Sequence, residues 1–295
     1  MMFTDILQCV VSGIALGSIY AMIAIGFNII YNSTGVINFA QGEFAMLGGL
    51  LMATLYKSAG LPLPLSFVGS ILIVTAVGVG FERLAIRPLR GAGILVLILV
   101  TIAGSFLLKG AAMLIWGKYP LFMLPFTPGE PISFVGVTIK TQDLWVWGVL
   151  ILAVVTLEIF FRTTMAGKAM RACAVNRPAA RLMGIDASKM VMLSFALSAA
   201  IGAVGGAVIV PSEPVGYDSG AMWGLKGFCA AALGGLGNMF GAVVAGITLG
   251  VVENVSGYYA SSYKRAIPLA ILLLVLFIRP RGILGKAEES SLREF

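Results

Sequence analysis

Three polar side chains, Asn38, Gln41 and Glu43, crowd into a stretch otherwise fit for lipid. The stretch runs from Gly35 to Gly49, with apolar runs at 19–30 before it and 50–56 after it. A charged side chain at the centre of a bilayer costs at least about 2.5 kcal/mol, so such a group needs a partner, water or a solute. A carboxylate in that setting can answer an ammonium. Glycines 35, 42, 48 and 49 let neighbouring backbone come close and let a helix break. Transporters often place binding sites at such interrupted helices. Two readings stand side by side. Glu43 caps a helix start or pairs with a neighbouring helix; or it belongs, with Asn38, Gln41 and Gly42, to a translocation path.

A second glycine-rich break, Gly234, Gly235 and Gly237, lies inside the apolar stretch 222–255. It lacks the lysine and the strand-to-helix setting of a phosphate loop, so it reads as packing or a helix break. Corresponding breaks in two halves of a chain point to a transport site, and close packing alone gives the same composition. Glu253 and Asn254, near the end of that stretch, line the path, pair with a neighbouring helix or mark an interface.

The third constellation runs from Arg162 to Lys189, with six basic residues against the single Asp186. Two short helices fit it. Asn176 suits an N-cap, Pro178 a first helical turn and Gly184 a stop. Ala179, Ala180, Leu182 and Met183 would then form a small apolar patch able to dock into a partner's groove. The same basic loop also suits anionic lipid heads.

Other chemistry is excluded by residue type. There is no histidine, and Cys9, Cys173 and Cys229 follow no metal spacing. That removes histidine acid–base catalysis, serine–histidine triads and histidine-ligated metals, and it offers no disulfide framework. No catalytic residue, metal or cofactor is expected.

The elements that position these groups follow from composition. The chain is 59% hydrophobic and 11% charged, with a mean hydropathy of +0.99. Soluble domains are about 25% charged. The expectation is an all-α polytopic helical membrane protein, one domain over 1–295, with about 7–8 transmembrane segments and broken or re-entrant helices. The first apolar run reads as a retained span, since no basic region or cleavage site accompanies it. Spans are expected near 6–31, 36–56, 65–81, 94–116, 144–161, 190–210 and 266–278, with 222–255 entering and returning. If span two is helical throughout, Glu43 lies about 12 Å from the 32–35 turn, close to mid-membrane. Glu158, near the end of span five, snorkels or meets Arg162. Segments 82–93 (a basic loop), 162–189 and 279–295 hold thirteen of the twenty Lys and Arg. The positive-inside rule then sets the N-terminus outside and the C-terminus in the cytoplasm.

From Gly26, Phe27 and Asn28 through Tyr31, and from Gly35 to Gly48, the sequence closely resembles the H-type permease of branched-chain amino acid (Liv-type) ABC importers. Further matches run from Gly224 to Phe228, through Gly234–Gly237 and Gly241, to Gly250–Glu253, and over Arg279–Gly285. The resemblance spans nearly the whole chain. It implies ATP-driven alternating access and a set of partners: a second, M-type permease, two cytoplasmic ATP-binding subunits and an extracytoplasmic amino-acid-binding protein. It also implies a multi-pass protein of the bacterial cytoplasmic membrane. Arg171, Asn176, Ala179, Ala180 and the run Leu182–Ile185 with Gly184 resemble the segment that couples to the ATP-binding subunits. Permeases for urea or short amides share the 38–43 pattern and are the nearest alternative. An ion-coupled secondary transporter fits Glu43 and the glycine breaks as well, though it needs no ATPase-docking loop.

Overall fold

The computed structural model describes residues 2–89, 91–134, 136–261, 266–279 and 282–284. Arg90, Arg281 and the tail from 285, all counted above for orientation, lie outside the described residues.

Eleven helices carry the fold among the described residues. They are α1 (Met2–Thr34), α2 (Gln41–Lys57), α3 (Leu63–Phe81), α4 (Ile94–Trp116), α5 (Thr141–Thr163), α6 (Met165–Val175), α7 (Arg177–Leu182), α8 (Ala187–Ile209), α9 (Ser219–Gly234), α10 (Met239–Tyr259) and α11 (Ile267–Ile278). Six of them (α1, α3, α4, α5, α8 and α10) are long and apolar enough to cross a membrane. A crossing needs about 20 residues. With 17, 16 and 12 residues, α2, α9 and α11 fall short of that. The chain is therefore the polytopic helical membrane protein its composition implies, with interrupted helices.

Lipid is as apolar as leucine, so helices here associate through close packing and internal polar contacts rather than hydrophobic burial. The chain meets this with small residues. Helices α1 and α10 run antiparallel, and a Cβ added at Gly13 or Gly17 would stand 2.6 Å from the Cα of Val251 or Ile247. Helices α2 and α8 touch where Gly206 faces the Ala45 carbonyl, leaving no room for any side chain at 206. Around these seams α1, α2, α8, α9 and α10 bury their side chains, while α3, α4 and α5 leave Leu72, Leu107, Leu114 and Ile151 exposed on the outer surface.

The polar contacts sort the helix ends to two faces. On one, a short hairpin, β1 (Ile132–Phe134) and β2 (Val137–Ile139), is tied to the start of α1. Gln8 donates to the Thr138 carbonyl (2.9 Å) and accepts from its N–H (2.7 Å). Leu121 and Val215 bridge the loops after α4 and before α9 on that face. On the opposite, basic face lie α6, α7 and the turn between α9 and α10. Asn28 and Asn32 of α1 hold that turn: Asn28 donates to the Asn238 carbonyl and accepts from Gly237 N–H, and Asn32 donates to the Gly237 carbonyl. Helices α9 and α10 thus approach and leave the basic face as a pair, as expected for 222–255.

Two expectations change. Span two is not helical from residue 36. Gly35, at φ +69°, ends α1 with its N–H on the Tyr31 carbonyl. Asn38 then folds its Oδ1 onto the Ala40 N–H, a side-chain mimic of a turn. The chain doubles back, and α2 starts beside Gly26 rather than beside Thr34. The second change is at 82–93. In place of a basic loop, α3 continues through a π-helical turn at Glu82–Ile86 and a 3-10 turn at Arg87–Leu89. The wider turn rotates Ile86 inward onto Ile30, Val191 and Phe195 while Leu84 faces out.

Candidate functional site

The island of Asn38, Gln41 and Glu43 is wholly inside the protein; none is more than 1% exposed. Gln41 opens α2 and clamps three helices. Its Nε2 donates to the Ser198 carbonyl of α8 (3.0 Å), and its Oε1 accepts from the Ser198 hydroxyl, which also reaches the Gly26 carbonyl of α1 (2.8 Å). Gly26 precedes the end of α1 by eight residues, which sets the start of α2 about 12 Å inside that end. The sequence expectation of a deep Glu43 is thus met by a re-entrant chain.

The first turn of α9 meets α2 at Gly220, which is buried while its neighbours Asp218, Ala221 and Met222 are exposed. A Cβ on Gly42 would collide with the Gly220 carbonyl and stand 2.6 Å from Gly224 Cα. Glu43 lies one residue further, with Oε2 against Gly220 in the first turn of α9. The free N–H groups of a first turn carry partial positive charge, which favours a carboxylate there. Glu43 Oε1 accepts from Ser105 Oγ of α4 (3.0 Å), while Oε2 has no hydrogen-bond partner among the described residues. One turn away on α4, Thr101 Oγ1 accepts from the Phe39 N–H (3.2 Å). Asn38 Nδ2 is likewise without a partner. Most buried polar atoms in native proteins are paired, so two unspent ones, five residues apart at a helix junction, suit water or a polar solute. Phe39 and Phe27 each place a ring 6.0 Å from Phe228, an aromatic wall beside the junction.

Gly234, Gly235 and Gly237 are not part of this junction. They lie at the far end of α9, about 21 Å along its axis from Gly220. Gly235 and Gly237 both take φ +91°, and Gly234 packs on Gly241.

Glu253 pairs with a neighbouring helix. Its Oε1 receives Lys226 Nζ of α9 at 2.6 Å and its Oε2 receives Tyr20 OH of α1 at 3.0 Å. Lys226 also donates to Tyr20 OH at 2.8 Å. The carboxylate is 3% exposed and the ammonium 13%, so the pair is largely desolvated and ties α1, α9 and α10 together.

In the basic segment, Asn176 Oδ1 accepts from Ala179 N–H and caps α7, Arg177 and Pro178 occupy its first turn, and Gly184 at φ +82° follows its end. Ala180 packs inward against Cys173 and Ala187. Ala179, Leu182 and Met183 face out, so the expected patch loses Ala180 and keeps the other three. Arg171 lines a pocket of about 500 Å³ with Arg162 and Asn238 on the same face. Glu158 and Arg162 form the expected ion pair, exposed on α5.

Ser105, Thr101 and Ser198 were not anticipated. A hydroxyl in an apolar helix ordinarily bonds its own backbone one turn back. Thr101 keeps that bond, to the Ile98 carbonyl, and nothing in the sequence marks the hydroxyls that also or instead serve another segment.

Comparison with known proteins gives one consistent result. The model of the "Branched-chain amino acid transport system / permease component" family matches residues 9–276. The chain is 36% identical to the high-affinity branched-chain amino acid transport system permease protein LivH of Salmonella typhimurium and to LivH of Escherichia coli K12, over 97% of each chain. It is 35% identical to BraD, the corresponding permease protein of Pseudomonas aeruginosa, over 96% of each chain. Among solved structures, PsaBC from Streptococcus pneumoniae in complex with Fab superposes with a TM-score of 0.51 over 93% of this chain and 92% of that one. At 15% identity that likeness concerns the fold alone.

Proposed function

The chain belongs to the family of permease components of branched-chain amino acid transport systems, and from that membership we propose that it is the permease of an ABC importer carrying leucine, isoleucine and valine. It is a multi-pass membrane permease and works with the other components of such a system. The finer assembly belongs to this proposal: a second, M-type permease, two cytoplasmic ATP-binding subunits and an extracytoplasmic binding protein. The chain moves its cargo without converting it. It lies in the bacterial cytoplasmic membrane, with the basic face and the C-terminus toward the cytoplasm and the N-terminus outside.

The observation that carries this reading is the junction where the starts of α2 and α9 meet at the buried Gly42 and Gly220, with the buried Glu43 against Gly220. Asn38, Gln41, Gly42 and Glu43 line the path there. The unspent oxygen of Glu43 receives the ammonium of the cargo, and the Phe27, Phe39 and Phe228 wall suits its branched chain. The Gly42–Gly220 contact is the constriction: backbone meets backbone there, so the two helix starts can slide or part at little cost. The turn at Gly234, Gly235 and Gly237 anchors the opposite end of α9 near the cytoplasm and carries motion into it.

Coupling falls to α6 and α7. The outward Ala179, Leu182 and Met183 dock into the ATP-binding subunit, Asn176 and Gly184 fix the ends of α7, Ala180 packs α7 onto α6 and α8, and Arg171 meets an acidic partner group. The test is purification from the native membrane in mild detergent, followed by uptake of labelled leucine with unlabelled urea and leucine as competitors. Two ATP-binding subunits and a second permease should accompany the chain, and leucine should compete. A chain that arrives alone, or uptake displaced by urea and not by leucine, contradicts the proposal.

A further inference from the structure

Below the Asn38 turn, toward the basic face, a cavity of about 90 Å³ opens between α1, α4, α7 and α8. Asn38 and Thr101 line one part of it, Arg177 and Arg181 of α7 another, and Ile86 and Phe195 contribute apolar wall. Asn38 is fully buried, its Oδ1 is taken by Ala40 N–H, and its Nδ2 has no partner among the described residues. Arg181 forms no ion pair among the described residues and its body is exposed on α7. Arg177 and Arg181 are four residues apart, hence neighbours on one helix face.

The chemistry of this lining is the complement of the junction above it. The junction offers a carboxylate. The cavity offers the Arg181 guanidinium, an unspent amide donor and an aliphatic and aromatic wall. A guanidinium binds carboxylates through two parallel hydrogen bonds, and it keeps its charge at every physiological pH. The space holds several waters or the side chain of one aliphatic amino acid. We propose that this cavity is a release subsite, in which Arg181 holds the carboxylate of the transported amino acid while its branched chain lies against Ile86 and Phe195.

The inference rests on the amino-acid importer reading and adds a second station to it. Cargo leaves Glu43 ammonium last and is met carboxylate first. A residue of the coupling helix then touches the cargo directly, so movement of α7 both senses and empties the subsite. Internal substrate can reload it and oppose release.

The experiment uses the complete complex with its ATP-binding partners and without binding protein. Bound labelled leucine is challenged with 4-methylpentanoate, which is leucine without its ammonium, or with 3-methylbutylamine, which is leucine without its carboxylate. The acid should displace the leucine held at the subsite, the amine should displace at most the leucine held at Glu43, and Arg181→Gln should weaken the acid-displaceable binding at least tenfold. Arg181 is exposed, so this variant tests binding and leaves packing alone. The challenge in unaltered protein stands independently of any variant. Displacement by the amine alone, equal binding by Arg181→Gln, or no leucine binding at millimolar concentration overturns the subsite. Uptake by the unaltered complex, with binding protein and ATP supplied, is measured in parallel. Leucine uptake alongside any of those outcomes overturns the subsite alone, while an unaltered complex that carries no leucine overturns the importer reading and the subsite with it.

Discussion

The carboxylate of Glu43 lies directly against Gly220, leaving no space for even one carbon at residue 220. That relationship joins the starts of α2 and α9 and keeps an acid in contact with the first turn of a helix. Gly220→Ala therefore forces the Glu43 side chain away or parts the two helices. Uptake should fall at least tenfold, with subunits still co-purifying, because the rest of both helices is untouched. Normal uptake by Gly220→Ala would show that the contact is incidental.

Lys226 and Glu253 make a second acid contact, of a different kind. Removing one partner of a buried ion pair leaves the other uncompensated and costs about 3–5 kcal/mol, whereas replacing both is often neutral. Lys226→Met should lower the melting temperature of the detergent-solubilised chain, and Lys226→Met with Glu253→Leu should recover most of the loss. A double variant no more stable than the single one would mean that packing, and not charge, is the stabilising element there.

Outward residues of α7 touch little within the chain. Leu182→Asp should leave the melting temperature unchanged and abolish co-purification of the ATP-binding subunits. Asn176→Ala removes the cap on Ala179 N–H, which is worth about 1 kcal/mol to a helix. It should weaken the same association less severely. Retained association in Leu182→Asp moves the docking surface elsewhere.

Cys173, on α6 at the basic face, is buried, and burial pushes its thiol up against the downward pull of Arg177 and Arg181. The thiolate is the reactive form, so a raised value means less of it at any given pH. Maleimide labelling of Cys173 should be slower than that of a free thiol at pH 7 and should rise with pH beyond the ordinary thiol range. Rapid labelling at neutral pH would place α6 and α7 in a more open arrangement.

Local signals were readable where one residue decides its own surroundings. Asn176 and Pro178 announce the start of α7, Gly184 its end, and Glu158 and Arg162 find each other one turn apart. The 235–238 break between α9 and α10 follows from its glycines, and the membrane class follows from composition. What escaped depends on distant partners. The start of α2 is set by Gln41 reaching Ser198, 157 residues away, and no periodicity carries that information. The π-helical turn after α3 reflects the site that Ile86 fills against Ile30, Val191 and Phe195. The pairing of Glu253 with Lys226 needed both helices in place, since Glu253 alone reads as lining the path, pairing with a neighbouring helix or marking an interface.

The central claim, that Glu43 receives cargo in an ATP-driven importer, is tested most directly by leucine uptake into vesicles holding the complete complex. ATP is supplied on the cytoplasmic side and binding protein on the other, and the unaltered chain is compared with Glu43→Gln. Exchanging carboxylate for amide keeps the shape and removes a charge-assisted hydrogen bond worth about 1.5–3 kcal/mol, a loss of about ten- to hundredfold. The account predicts ATP-dependent uptake that falls by that factor in Glu43→Gln while the subunits stay assembled. Undiminished uptake in the variant, or uptake that follows an ion gradient without ATP, would contradict it.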